Sequence, residues 1–381
     1  RIFCPDELES SQLHSVFEAT KRGYMWPLPK AAENVSPDGR VLEVLSEHNL
    51  QGWMQGYILT GRYGIFVTYE AFAIIISSML DQYAKFLKQS MRVKWRKPLS
   101  SPLYILSSVG WRQDHNGYSH QNPSFVSNVL LKHGEFSHVY YPADANSFLV
   151  ALEESLKKKN GINVIVVGKT PLPVWQTLEE ARKQAGTGIA IWEFATDKES
   201  VKNPDVVLAS CGDYMTLEAM MALKICKELA PSIKIRFVNI SELTGLSLGD
   251  SMTPAQFESY FTKDKPVVLN YHGYTNDVEQ VLWGYGDCVN SKRFVLHGYS
   301  EEGSTTTPFD MAIRNHVSRY HLAMDVIEKS SLKNKKPILD LLKKKISVHH
   351  SYIVKNGDDP EYIKDIGTPQ RLLEVNQDVR S

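Results

Sequence analysis

The stretch Ile162-Asn-Val-Ile-Val-Val167 decides the fold class of this chain. It is a nearly continuous run of β-branched apolar residues, which is typical of a strand buried on both faces of a parallel sheet. The amphipathic segment Asp144 to Leu156 precedes it, and Asp144 is suited to cap a helix there. Because the apolar run Pro102 to Val109 comes earlier still, the order strand, helix, strand predicts a βαβ unit.

The same alternation of strands and helices returns in the second half of the chain, which favours a second parallel-sheet domain. The predicted strands are Val206–Ser210, Ile233–Ile240, Val267–Tyr271 and Phe294–His297, and the predicted helices lie near 214–229, 253–262, 275–283 and 307–328. We therefore expect an α/β protein with two successive parallel-sheet domains, at residues 1–175 and 204–381. A linker with one short helix, at residues 176–203, is expected to join them.

The composition argues against two classes of function. Lys and Arg together number 43, as do Asp and Glu, so a neutral chain offers no broad electrostatic attraction for nucleic acid. The most apolar run, Ala71 to Leu80, is too short to span a bilayer, so we expect no membrane segment. It belongs instead to a predicted helix from about Tyr69 to Lys88, with Thr68 as its candidate N-cap.

The first residue and the cysteines indicate the extent of the protein and its redox compartment. No secretory signal is present, and the sequence starts at Arg1 without methionine, so we expect a piece of a longer protein. The cysteines form no CxxC pair, which favours reduced thiols in the cytoplasm over zinc sites or disulfides: Cys4, Cys211, Cys226 and Cys288.

The segment WRQDHNGYSHQNP at residues 111–123 carries the strongest functional signal. It places His115 and His120 in a loop just past the end of the predicted strand 102–109. In open α/β sheets, ligands bind at the carboxyl ends of the strands, so these histidines are candidate ligand contacts. The alternative is a surface loop whose histidines only cap backbone groups.

Three other positions are candidates for chemistry. Glu47 follows the strand-like run 41–45 and is a candidate general acid or base, or else a surface glutamate. Arg62 lies between glycines before the predicted helix at Tyr69, which suits an anion site or simple packing on its neighbours. Lys169 ends the strand 162–168 and suits a phosphate or a polarised carbonyl, and the alternative is an ordinary loop lysine.

The run Glu302 to Met311 is the last candidate. Its hydroxyl residues lead to Pro308 at a predicted first helical position, which indicates a helix start. A domain contact or an anion-binding nest is the functional alternative. The sequence has no P-loop, no GxGxxG after a strand, no HExxH and no GxSxG motif, so we predict no metal site in this chain.

Several of these segments together resemble the xylulose 5-phosphate/fructose 6-phosphate phosphoketolases, thiamine-diphosphate enzymes related to transketolase. The segments that carry the resemblance are Leu45–His48, Leu59–Gly64, Thr68–Glu70, Trp111–Gln121, Gly168–Lys169 and Glu302–Met311. The resemblance covers only the second half of such an enzyme, which holds a pyrimidine-binding domain and a C-terminal domain. The missing half carries the diphosphate-binding domain and its Gly-Asp-Gly metal motif.

The resemblance implies a role for each matching residue. Glu47 matches the glutamate that hydrogen-bonds N1′ of the aminopyrimidine, and Tyr69 and Phe72 match aromatic residues around that ring. The residues that match the lining of the substrate and phosphate channel are Glu7, Ser10, His115, Asn116, His120 and Lys169. Gln12 departs from the family, because many relatives have arginine or lysine at that position.

The implied reaction is the cleavage of a ketose phosphate by inorganic phosphate into acetyl phosphate and an aldose phosphate. The implied cofactors are thiamine diphosphate and Mg²⁺, with the metal ligands in the missing half. The implied partners are that half and a second copy of the chain, and the chain alone should be inactive. Transketolase-type two-carbon transfer and a non-catalytic binding module are the alternatives.

Overall fold

Two parallel-sheet domains follow one another, as predicted. The computed structural model describes residues 1–5, 8–24, 34–132, 136–247 and 252–365, apart from the side chains of 287 and 288. The first sheet has the order β2-β1-β3-β4-β6-β5 and is parallel throughout. Its strands are β1 (Ile2–Cys4), β2 (Val41–Glu43), β3 (Ile65–Tyr69), β4 (Leu103–Ser107), β5 (Ser137–Tyr140) and β6 (Ile162–Val166).

The second sheet has the order β11-β10-β8-β9-β7. Its strands are β7 (Ile189–Ile191), β8 (Val206–Cys211), β9 (Ile235–Ile240), β10 (Val267–Tyr271) and β11 (Phe294–His297). The edge strand β7 runs antiparallel to β9, so this sheet is mixed, whereas a wholly parallel sheet was expected. Because β7 and a helix lie within residues 176–203, the expected linker contributes an edge strand to the second sheet.

Helices cover both sheets. They are α1 (Val16–Ala19), α2 (Glu47–Leu59), α3 (Ser77–Ser90), α4 (Ser124–Leu130), α5 (Ala145–Lys157), α6 (Leu178–Ala185), α7 (Lys198–Lys202), α8 (Asp213–Leu229), α9 (Pro254–Phe261), α10 (Thr275–Leu282), α11 (Pro308–Arg314), α12 (Arg319–Lys329), α13 (Lys336–Asn356) and α14 (Glu361–Lys364). Short 3₁₀ segments include Glu70–Ile76, Gly110–Arg112, Tyr118–His120 and Leu243–Leu246. In the described part of the chain, no helix is both long and apolar enough to cross a membrane.

Two predicted helices differ from the observed ones. The helix expected from Tyr69 is a 3₁₀ segment up to Ile76 and an α-helix only from Ser77, and Thr68 lies inside β3 and does not cap it. The helix expected at 307–328 is divided into α11 and α12 by His316, which has a left-handed φ of 59°. Apolar spacing alone does not report such a backbone reversal.

The predicted cap of α5 is confirmed and ties this helix to the chain that leaves the first domain. The carboxylate of Asp144 accepts the N–H of Ser147, while the Ser147 hydroxyl closes a capping box with Asp144. The second carboxylate oxygen of Asp144 accepts the N–H groups of Trp175 and Gln176 at 2.8 Å each. A single buried side chain therefore satisfies backbone donors from two segments.

The two domains meet along β5 of the first sheet. The N–H of Tyr141 donates to Ser241 O at 2.8 Å, and His138 Nδ1 lies 2.8 Å from Glu242 Oε1. Apolar side chains of both domains join in one buried cluster. This contact brings the carboxyl ends of strands in the second sheet close to loops of the first.

Candidate active site

The candidate residues lie where strands of the first sheet end. Ser10 follows β1, Glu47 follows β2, Tyr69 ends β3, the loop 110–123 follows β4, and Lys169 follows β6. These strands are parallel, so their carboxyl ends share one edge of the sheet, where ligands bind in open α/β folds.

An aromatic cluster forms the centre of the site. The rings of Tyr69 and Phe72 stack with centroids 5.9 Å apart and an interplanar angle of 10°. The His120 ring meets Phe72 edge-on, with centroids 5.0 Å apart. All three side chains are only partly buried, so their faces remain accessible to a ligand.

Polar groups converge on the hydroxyl of Tyr69. Ser10 Oγ lies 2.8 Å from this hydroxyl, and Lys169 Nζ donates to it at 3.4 Å. The Lys169 ammonium also lies 4.7 Å from the centroid of the Tyr69 ring, at a distance suited to a cation–π interaction. Residues from three separate strand ends therefore form one positively charged, hydroxyl-bearing patch.

His120 is tuned toward its neutral form. Burial, followed by the nearby charges of His115 and Lys169, lowers the pKa of His120 from its usual value. Its Nδ1 lies 2.9 Å from Ser119 Oγ. A neutral imidazole that is in part exposed can accept or donate a proton at neutral pH.

Side chains within the 110–123 loop also hydrogen-bond to one another. Asn116, which is exposed, donates through Nδ2 to Gln113 Oε1 at 2.9 Å. Gln113 is buried, and its Nε2 has no hydrogen-bond partner among the described residues. The sequence interpretation missed Gln113 because it weighed ionisable side chains, and only its position in the same polar loop indicated it.

Two of the three interpretations of the run 302–311 are confirmed, and the anion nest stays a prediction. Thr307 caps α11 by accepting the N–H of Asp310, with Pro308 in the first turn. Gln121 Nε2 donates to Ser304 O at 3.2 Å, so the run also contacts the histidine loop of the first domain. It is both a helix start and a domain contact.

The remaining predicted residues are less closely integrated. Glu47 is half-buried in the first turn of α2, at the correct edge of the sheet, and its catalytic role stays a prediction. Glu7 lies outside the described residues. Arg62 is exposed between α2 and β3, at the opposite edge of the sheet, and donates to Thr60 Oγ1 at 2.7 Å. Because a strand and not a helix follows Arg62, no helix N-terminus adjoins it as expected, and a role in binding stays a prediction.

A cleft of about 380 Å³ extends from Lys169 along the same edge. Gln12, Ser107, Asp144 and Asp213 are among its lining residues. Gln12 is exposed and has a left-handed φ of 61°. Within the described ranges, no group of three or more His, Cys, Asp or Glu side chains is arranged to hold a metal ion.

Comparison with known proteins identifies the family. Residues 1–158 match the D-xylulose 5-phosphate/D-fructose 6-phosphate phosphoketolase family, and residues 169–368 match the C-terminal domain of the same family. The chain therefore belongs to the phosphoketolase family, as its motifs predict. A probable phosphoketolase of Brucella abortus is 42% identical over 371 residues, and one of Chlorobaculum tepidum is 42% identical over 372 residues.

These alignments cover 96% of this chain but only 46% and 47% of those relatives. The chain thus spans about half the length of the curated relatives that it matches.

Solved structures confirm the transketolase-like fold. Transketolase from Leishmania mexicana superposes with a TM-score of 0.61 at 15% identity, over 88% of this chain and 44% of that one. A split-gene transketolase, described as an inactive β4 tetramer, superposes with a TM-score of 0.54 at 17% identity. It is matched over 85% of this chain and 97% of its own, so the same pair of domains exists there as a separate polypeptide.

Proposed function

We propose that this chain is the pyrimidine-binding and C-terminal part of a thiamine-diphosphate-dependent phosphoketolase. The enzyme would cleave xylulose 5-phosphate, fructose 6-phosphate or both with inorganic phosphate, giving acetyl phosphate and an aldose phosphate. The observation that carries the proposal is the convergence of Ser10, Tyr69, Phe72, His120 and Lys169 on one patch, in a chain of this family.

The residues present fit the cofactor. The partly exposed Tyr69–Phe72 stack offers apolar surface for an aminopyrimidine ring, and the half-buried carboxylate of Glu47 suits its N1′ nitrogen. When bound, thiamine diphosphate supplies the carbanion-stabilising chemistry for breaking a carbon–carbon bond beside a ketone. Its diphosphate and Mg²⁺ would be held by the other half of the enzyme.

The side chains of the patch divide the remaining work. Lys169, with the hydroxyl groups of Ser10 and Tyr69, would hold a phosphate through charge-assisted hydrogen bonds. His120 is neutral at physiological pH because its pKa is lowered, so it would move a proton to or from a sugar hydroxyl. His115 and Asn116, exposed on the same loop, would contact the substrate.

The chain would act together with a diphosphate-binding half and as a homodimer, and alone it should be inactive. The split-gene transketolase supports this expectation, because a chain of the same extent is inactive by itself there. Buried free thiols at Cys211 and Cys226 support a reducing, cytoplasmic location.

The test is acetyl phosphate formation by the full gene product, given fructose 6-phosphate, inorganic phosphate, thiamine diphosphate and magnesium. We expect phosphate-dependent product that a Glu47→Gln change reduces at least about 100-fold, as for loss of an acid–base group. Residues 1–381 alone, without the other half, should give no product. Sugar transfer to an aldose acceptor would indicate transketolase chemistry instead, and neither activity would favour a binding module.

A further inference from the structure

A carboxylate of the first domain is paired with a histidine of the second, directly behind the candidate site. Glu70 follows Tyr69 in the sequence, and its side chain is buried together with that of His272, each about 1% exposed. His272 Nε2 donates to Glu70 Oε1 at 2.6 Å. The second oxygen of Glu70 accepts the N–H of Gly110 at 2.9 Å.

The loop that begins at Gly110 is attached to His272 a second time. The indole N–H of Trp111 donates to the backbone oxygen of His272 at 2.9 Å. Trp111 is itself buried against Tyr299 of the second domain, with the two rings edge-to-face at 5.8 Å. His272 therefore fixes both the segment that carries Tyr69 and the start of the loop that carries His115 and His120.

A second buried acid of the second domain holds the lysine segment. Asp213, the first residue of α8, accepts the N–H of Gly168 through Oδ2 at 2.6 Å. Its other oxygen accepts the N–H of Tyr214 at 2.6 Å. Gly168 directly precedes Lys169, so this bond sets the point from which the Lys169 side chain extends.

Burial makes these three groups depend on each other's charge. Burial disfavours the imidazolium, but the charges of Glu70 and Asp213 outweigh it and raise the pKa of His272. Burial raises the pKa of Asp213, against the opposing effects of His272 and of the Gly168 N–H. A buried charge that loses its partner is strongly destabilised, so the cluster has little freedom to rearrange.

We infer that His272 and Asp213 are positioning residues, through which the second domain sets the geometry of three segments of the first. These segments carry Tyr69, His120 and Lys169 and are here called the substrate loops. The two positioning residues bond to Glu70, Trp111 and Gly168. Glu70 adjoins Tyr69 and Gly168 adjoins Lys169, while Trp111 lies at the start of the loop that carries His120. This inference rests on the proposed function only for its effect on catalysis. The second domain is thus part of the scaffold of the candidate site, although none of its described side chains lies in the patch.

The test compares His272→Leu and His272→Gln with matched changes at His297. His297 is also a buried histidine, at the end of the neighbouring strand β11, and its Nε2 lies 3.0 Å from Asp325 Oδ2. It belongs to the same domain, and none of its described hydrogen bonds reaches the substrate loops. His272 Nδ1 has no partner in the described part of the chain, so a glutamine that keeps one N–H toward Glu70 should rescue the geometry.

The first readout is hydrogen exchange of residues 1–381, measured by mass spectrometry, which needs no activity. We expect His272→Leu to speed exchange in residues 108–121 and to leave strand β9 unchanged, because opening is local. His272→Gln should restore most of the protection, and His297→Leu should not alter these amides. Equal exchange in the His272→Leu and His297→Leu proteins would overturn the inference.

The second readout is steady-state kinetics of the full gene product with fructose 6-phosphate and inorganic phosphate. We expect His272→Leu to lower kcat about 10- to 100-fold, as for misplaced reacting groups, and to raise KM for phosphate. His272→Gln should recover much of both, and His297→Leu should retain normal kinetics even if it lowers the melting temperature.

The two ideas fail separately. Faster loop exchange in the His272→Leu protein, with no acetyl phosphate from the unaltered enzyme, would refute the proposed function and support the positioning role. Normal acetyl phosphate formation by the His272→Leu protein would support the proposed function and refute the positioning role.

Discussion

The ammonium of Lys169 lies 3.4 Å from the hydroxyl of Tyr69 and 4.7 Å from the centroid of its ring. Residues 100 positions apart in the sequence thus share one contact at the carboxyl edge of the first sheet. The same hydroxyl lies 2.8 Å from Ser10 Oγ, so one phenol joins the ends of β1, β3 and β6. Most of the following expectations depend on this junction.

Tyr69→Phe removes the shared hydroxyl and keeps the ring that stacks on Phe72. We expect KM for inorganic phosphate to rise about tenfold, the equivalent of one lost polar contact, with little change in melting temperature. Steady-state kinetics of the full gene product measures this. Tyr63→Phe is the matched control, because Lys159 Nζ donates to the exposed Tyr63 hydroxyl at 2.9 Å in the same way. This lysine–tyrosine pair lies at the other edge of the sheet. An equal effect of both changes would contradict the assignment.

Lys169→Gln should make His120 easier to protonate. The positive charge of Lys169 contributes to the lowered pKa of His120, so its removal raises that pKa. If neutral His120 is the active form, the acidic limb of the pH–activity profile moves to higher pH. NMR titration of the His120 ring measures the shift directly, with Lys159→Gln as the control. An unchanged titration would show that Lys169 does not act on His120.

Arg62→Ala should leave activity unchanged. The arginine is exposed at the amino edge of β3 and contacts Thr60, away from the patch around Tyr69. Its loss should alter the free energy of unfolding by less than about 0.5 kcal/mol, as for most surface changes. KM for each substrate and the melting temperature are the measurements. A large rise in KM for phosphate would restore the sequence-based assignment of Arg62.

Gln12→Arg should strengthen phosphate binding. Gln12 lines the cleft beside Lys169, at a position where the family resemblance implies a basic residue. A guanidinium there can form charge-assisted hydrogen bonds to phosphate, so we expect KM for phosphate to fall about three- to tenfold. Gln12→Glu provides the opposite test and should raise that KM. Similar values for both variants would show that position 12 does not face the anion.

The Glu70–His272 pair should make stability depend on pH. The pKa of His272 is raised in the folded protein. The contribution of His272 to the free energy of unfolding is therefore fully present below the pKa of the unfolded chain, about 6.5. The contribution is lost as the pH rises through the folded pKa. The melting-temperature difference between the native protein and the His272→Gln variant should therefore be largest near pH 6 and shrink at alkaline pH. A constant difference would mean that charge is not what stabilises this contact.

Local sequence patterns predicted most of the fold. The buried runs at 162–167, 267–271 and 294–297 give β6, β10 and β11 to within one residue, because apolar strands of a parallel sheet leave an unbroken signature. The 3₁₀ segment Glu70–Ile76 was missed because its apolar residues have nearly the spacing of an α-helix. The antiparallel strand β7 was missed because three residues are too few for a period.

The candidate site could be predicted only in part. Strand ends and polar loops indicated His120 and Lys169, because parallel strands bring their carboxyl ends together whatever their order. Tyr69 was indicated only by the family resemblance. The partner of Glu70 is 202 residues away, and no local pattern reports a pairing at that distance. The same limit concealed the contact of Asp213 with Gly168, which depends on how one whole domain docks on another.

The position of β1 has a consequence for how the protein is made. Ile2 pairs with Val41 on one side and with Ile65 on the other, so β1 joins β2 to the rest of the sheet. The ribosome synthesises this strand before either of its neighbours. Until residue 65 has emerged, at least one edge of β1 lacks its backbone hydrogen-bond partners, and unpaired strand edges are prone to aggregation. Translation speed and chaperone access between the synthesis of β1 and that of β3 should therefore affect the yield of folded protein.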